Sequence, residues 1–127
     1  MSSALRLGLL ALPLLLMFGF SVQAQEVEVG PALICDTQQQ VERYVSVYDG
    51  DALSTINSVN AAEHDQTACG MNNIVYVRGQ RVAVARNKDK TFYIAPILVL
   101  GIVTEQGVKS MAPTPYFSGF EIQEIAI

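Results

Sequence analysis

Two kinds of hydrophobic spacing divide this chain near Cys69. Before it, Val41, Tyr44, Val45 and Tyr48 fall at i, i+3, i+4 and i+7, which places them on one face of a helix. Asp36 with Gln39, or Thr37 with Gln40, supplies the capping pair at its start, and Gly50 suits the left-handed position that stops it. Asp51 opens a second helix whose apolar positions are Ala52, Leu53, Ile56 and Val59. Its serines, threonine and asparagines are poor helix formers, which predicts about two turns and then a polar loop through Glu63-His64-Asp65. Ahead of both, Val27 and Val29 alternate with Glu26 and Glu28, a short edge strand or frayed arm ended by Gly30-Pro31.

From Ala68 onward the spacing is that of strands. Asn73–Val77 and Arg81–Arg86 flank Arg78-Gly79-Gln80 as a hairpin would, and Asn87–Lys90 reads as a second turn. Phe92 to Val103 is almost wholly apolar and rich in β-branched residues, which predicts a strand buried on both faces. Pro96 lacks a donor and Gly101 packs nothing, so a bend or bulge is expected at each. A turn at Glu105-Gln106-Gly107 follows, and Pro113-Thr114-Pro115 predicts a further break. The expected core is Phe92, Ile94, Ile97, Val99 and Ile102 against Val41, Val45 and Val75. The resulting fold class is α+β: one or two N-terminal helices, then about five antiparallel strands forming a small SH3-like half-open barrel.

The first 24 residues change the context of everything after them. Leu7 to Phe20 is an apolar run of 14 residues preceded by Arg6, and Val22-Gln23-Ala24 is a small-residue cleavage site. That is the pattern of an export signal, leaving residues 25–127 as a single small domain. The run falls short of the roughly 20 apolar residues of a membrane helix, so no integral span is expected after cleavage. The implied address is periplasmic or secreted. In such an oxidising compartment, Cys35 and Cys69 are expected to form a disulfide, since their spacing is too wide for a redox or zinc motif. Closing a loop of about 35 residues contributes about 3–4 kcal/mol on the chain-entropy model.

Without Arg6, seven basic residues stand against twelve acidic ones, a formal net charge of −5. That balance argues against nucleic acid as a partner. The charge is also uneven. Residues 25–77 hold eight acids and one base, Arg43, whereas residues 78–109 hold six bases and two acids. These are either two ordinary solvated surfaces or a basic hairpin offered to an anionic partner.

Candidate chemistry is sparse. His64 is the only histidine, and with Glu63 and Asp65 it suggests a metal cluster or a base with an orienting acid. A metal site needs three or four converging ligands, and no serine lies in a nucleophile-elbow context. No catalytic residue, metal or cofactor is therefore assigned. The binding candidates are Arg78, Arg81, Arg86 and Lys88, with Tyr116 and Phe117 as aromatic contact area. Ile34-Cys35-Asp36-Thr37 opening a helix, Ala68-Cys69-Gly70 opening the sheet and Val77-Arg78-Gly79 in the hairpin together resemble small exported one-disulfide proteins of proteobacteria without an assigned activity. The resemblance implies an exported address and a disulfide, and no reaction. Two readings follow: a non-enzymatic module binding an envelope protein, peptide or cell-wall component, or a small envelope hydrolase or hydrolase inhibitor using Glu63-His64-Asp65.

Overall fold

A computed structural model describes residues 26–123; the predicted export signal, residues 1–24, lies outside the described residues. The elements run β1 (Val27–Cys35), α1 (Gln38–Val47), α2 (Ala52–Glu63), β2 (Cys69–Arg78), β3 (Ala83–Arg86), β4 (Thr91–Thr104) and β5 (Gly107–Glu121). Two helices and a five-stranded antiparallel sheet make the fold α+β. The order of elements differs from expectation in one respect. The strand at the start is neither short nor frayed: it runs through Gly30-Pro31 and pairs along its whole length with β2. The helices are thus an insertion between two neighbouring strands.

Cys35 and Cys69 face each other at the last rung of the β1–β2 ladder, and their disulfide closes the base of that insertion with a Cα–Cα distance of 4.1 Å. Local chemistry starts both helices. Thr37 and Gln40 form the reciprocal capping box of α1, at 3.2 and 3.0 Å, and the Asp51 carboxylate accepts from the amides of Leu53 and Ser54 at α2. α1 ends at Val47, with Tyr48 extended, so Gly50 (φ 103°) turns the inter-helix linker and does not itself stop the helix. α2 runs for 12 residues, more than the two turns its composition suggests. Its far end is held by Asn60, whose side-chain amide donates to the Cys69 carbonyl (3.0 Å) while its carbonyl accepts from the Cys69 N–H (2.9 Å). Tertiary pairing overrides weak propensity there.

Residues 79–82 are not a hairpin turn. β2 and β3 do not pair with each other; both lie against the same edge of β4. Residues 74–86 therefore form one interrupted strand that turns at Asn87–Lys90 and returns as β4. The cause of the interruption sits across the ladder. Pro96 accepts from the Gly79 N–H (2.8 Å) but has no N–H to return, so the facing chain leaves the ladder after Arg78 and rejoins it at Ala83. Gly79 eases that approach, since a Cβ would stand 3.1 Å from the Pro96 carbonyl oxygen. A bulge near Gly101 shifts the register of β4 against both β2 and β5, as expected. Pro113 and Pro115 do not break β5; they lie within it on a stretch whose far edge is unpaired, where a missing donor costs nothing and discourages edge-to-edge association.

The sheet buries its two faces at different places. On one, Leu33, Cys35, Phe92 and Ile94 pack beneath Val41, Tyr44, Val45, Ile56 and Val59 of the helices. On the other, which we call the inner face, Ala32, Ile74, Tyr76, Ile97 and Val99 form a second core. Hence β4 is buried on both faces only in succession, and Leu98 is exposed. Two expected core positions differ: Val75, which alternates with Ile74 and Tyr76 and so faces away from the inner face, is half-buried, and Ile102 is 39% exposed. The bulge before Gly101 carries Ile102 out to the rim of the inner face.

Candidate functional site

The inner face is closed at one end and open at the other, with the second core between them. At the closed end Arg78 reaches across the sheet to Glu28, 50 residues away in sequence. Its Nε and Nη2 donate to the two carboxylate oxygens at 2.9 and 2.5 Å. A third donor meets the Tyr93 hydroxyl, and the guanidinium lies 3.6 Å over the Phe120 ring. Tyr76 and Tyr93 flank that ring, with centroids at 6.4 and 5.3 Å. Burial opposes the Arg78 charge, but its hydrogen bonds to Glu28 and Tyr93 outweigh that and raise its pKa further. Burial, followed by the Glu28 charge, raises the Tyr76 hydroxyl above its usual range. Three of the five N–H donors of Arg78 are thereby occupied and its face is stacked, and the residue acts as a plug.

At the open end lies a cleft of about 330 Å3. Its floor is Ile34, Ile74, Val99, Ile102, Met111 and Tyr116, and its rim carries Asp36, Gln66, Thr67 and Asn72. The disulfide and the Asn60 clamp fix the rim, because Cys69 and Gly70 form one wall and Asp36 continues from Cys35. The Asp36 amide donates to the Ala68 carbonyl at 3.0 Å, which ties the two sides of the insertion at the cleft mouth. Apolar floor, polar rim and this volume are the features of a small-ligand or side-chain site.

The residues singled out from the sequence are not brought together. Arg78 is the plug. Arg81 is exposed and stacks 4.4 Å from the Tyr93 ring centroid at the same end. Arg86 ends β3 opposite Thr91, and Lys88 is exposed in the following turn. Tyr116 lines the cleft, whereas Phe117, its neighbour along the strand, points to the opposite face and packs on the helix-side core. Period-two alternation separates such neighbours, so Tyr116 and Phe117 do not share a surface. The cleft residues Ile34, Met111, Asn72 and Asp36 went unrecognised in the sequence. The signal that finds them is alternation along β1 and β2, where Ala32, Ile34, Asn72 and Ile74 fall on one side.

Glu63 and Asp65 have side-chain partners of their own, and His64 serves the helix end through its backbone. Glu63 accepts from Gln40 at 3.2 Å and faces Arg43 at 3.7 Å. His64 is the left-handed C-cap of α2 (φ 56°). Asp65 accepts from the backbone and hydroxyl of Thr67, both at 2.9 Å, and those bonds lower its pKa. Among the described residues no group of three or more His, Cys, Asp and Glu side chains could hold a metal ion. Likewise, no described helix is long and apolar enough to cross a membrane.

Further cavities among the described residues include one of about 680 Å3 bordered by Asn57, Asn60, His64 and Asp65 at the end of α2, and one of about 240 Å3 along the seam between β1 and β5, whose only paired residues are Cys35 and Phe117. Ser118 borders the latter, fully buried, and its hydroxyl has no partner among the described residues. Compared with known families, curated proteins and solved structures, the chain matches none, so the resemblance to exported proteobacterial proteins draws no support from them.

Proposed function

We propose that the protein is a non-enzymatic binding module of the cell envelope, periplasmic or secreted, that takes up an apolar side chain of a peptide or envelope component in the cleft beside Tyr116. The observation that carries this reading is the asymmetry of the inner face: one end sealed by Arg78, the other left as an open cleft with an apolar floor. The disulfide is consistent with an exported address. Pairing from β1 to β2, β2 to β4, β4 to β5 and back to β1 through one residue pair supports a small half-open barrel of SH3-like character. The hydrolase reading through Glu63-His64-Asp65 has one observation in its favour, a pocket of about 680 Å3 lined by His64 and Asp65, but Glu63 and Asp65 are engaged by Gln40, Arg43 and Thr67 and no nucleophile motif stands beside them.

The test is a titration of isotope-labelled protein with the neutral blocked peptide acetyl-Gly-Leu-Gln-amide, alongside the variant Ile102→Lys. Ile102 is already 39% exposed, so the lysine obstructs the floor without emptying a core. Saturable binding is expected for the parent protein and its loss for the variant, with the melting temperature unchanged within a few degrees. Absence of saturation at millimolar peptide, or equal binding by a folded variant, contradicts the reading.

A further inference from the structure

We infer that the cleft selects a basic peptide segment, one in which the apolar side chain is followed by lysine or arginine; this rests on the cleft being the binding site. Three ion pairs occur among the described residues, Arg43–Glu63, Arg78–Glu28 and Lys90–Glu121. Asp36 is in none of them, and its carboxylate accepts no hydrogen bond among the described residues. It is exposed on the rim, and no cation lines the cleft with it. An unpaired carboxylate beside an apolar floor is complementary to a cation placed one side chain away from an apolar group.

Asp65, just ahead of the rim residues Gln66 and Thr67, keeps its negative charge at lower pH than a free carboxylate because Thr67 donates to it. Of the bases in no ion pair among the described residues, Arg81, Arg86 and Lys88 lie toward the closed end, around Tyr93 and the β3–β4 turn, whereas Lys109 stands opposite the cleft residue Ile102 in the β4–β5 ladder. Gln66, Thr67 and Asn72 carry side-chain donors and acceptors suited to a peptide backbone, which favours a peptide over a simple alkylammonium.

The probes are three blocked tripeptides of one length: acetyl-Gly-Leu-Lys-amide, its side-chain-acetylated form, and acetyl-Gly-Leu-Glu-amide. An exposed ion pair on a rim gives a preference of about fivefold for the lysine peptide over its acetylated form at low salt. The glutamate peptide is expected to bind more weakly than either. Raising the salt to physiological strength should shrink the lysine preference, because the pair is solvent-exposed. Asp36→Asn should make lysine and acetyl-lysine peptides equivalent while retaining binding of the neutral form. Equal affinity of all three peptides for the parent protein overturns the selectivity but leaves the cleft as the site. A lysine preference that persists in Asp36→Asn overturns the role of Asp36. Failure of every peptide to bind overturns both the selectivity and the site.

Discussion

The two ends of the inner face use the same materials to opposite effect. At the Arg78 end a cation, a carboxylate and three aromatic rings are brought together from four strands and satisfy one another. At the Tyr116 end an aromatic ring and a carboxylate, Asp36, border a cleft that none of the described residues fills. The difference teaches how charge should be read in this molecule. Arg78, the base most deeply set in the sheet, has the least to offer a partner, because three of its five N–H donors and its ring-stacking face are used within the fold. At the other end the Asp36 carboxylate is exposed and in no ion pair among the described residues. A patch of like charges in sequence is thus a poor guide to a binding surface until the pairing of each charge is known.

The largest effect expected bears on the link between the ends. Removing the disulfide by Cys35→Ala with Cys69→Ala should cost about 3–4 kcal/mol in chemical denaturation, since it frees a loop of about 35 residues. It should also loosen the cleft, because Cys69 forms part of its wall. The Arg78 end should retain its tyrosine environment as long as the protein stays folded. A loss below about 1 kcal/mol would show that the ladder alone closes the insertion.

Next in size is the plug itself. Arg78→Met is expected to destabilise by about 1–2 kcal/mol, a figure discounted because Arg78 and Glu28 are 29% and 34% exposed. Arg81→Ala, which removes only one exposed stacking contact, should cost about half a kcal/mol or less. Equal costs for the two arginines would abolish the distinction between a plug and a surface charge.

Alkaline pH sharpens the comparison of burial. Burial, then the nearby Tyr48, Asp49 and Asp51, pushes the Tyr44 hydroxyl from 10.0 up to about 12, and Tyr76 is raised at the closed end for the causes given above. In the unfolded chain both ionise near pH 10, so between about pH 10 and 12 the unfolded state binds fewer protons than the folded one. Stability from these groups is therefore complete below pH 10 and lost as pH rises through their folded values. Denaturation followed by tyrosinate absorbance should show that decline, and Tyr44→Phe should reduce it.

The smallest effect concerns the seam. Ser118→Ala removes a buried hydroxyl without a partner, so it should be neutral or stabilising by up to about 1 kcal/mol. A clear destabilisation in thermal melts would mean that the hydroxyl is engaged.

What was legible in the sequence was whatever depends on neighbours along the chain. Thr37 with Gln40 and Asp51 mark helix starts because capping acts over three residues, and Asn87–Lys90 marks its turn for the same reason. Arg78-Gly79-Gln80 reads as a hairpin in the sequence, whereas the chain only leaves the ladder there, opposite Pro96, whose missing N–H lies far along the chain. Glu28 and Arg78 gave no sign of their pairing, since 50 residues and a helical insertion separate them. Tyr116 and Phe117 were grouped as adjacent aromatics, although strand alternation alone separates them. The cleft was hidden because its walls come from β1, β2, β4, β5 and a loop, and only the closed ladder assembles them.

The measurement that tests the central claim most directly is amide chemical-shift mapping of the intact protein during titration with acetyl-Gly-Leu-Lys-amide. The account predicts saturable shifts at Ile34, Gln66, Thr67, Ile74, Met111 and Tyr116, with Arg81, Arg86, Tyr93 and Phe120 unmoved. Saturable shifts confined to the latter group, with the cleft amides unchanged, would contradict it.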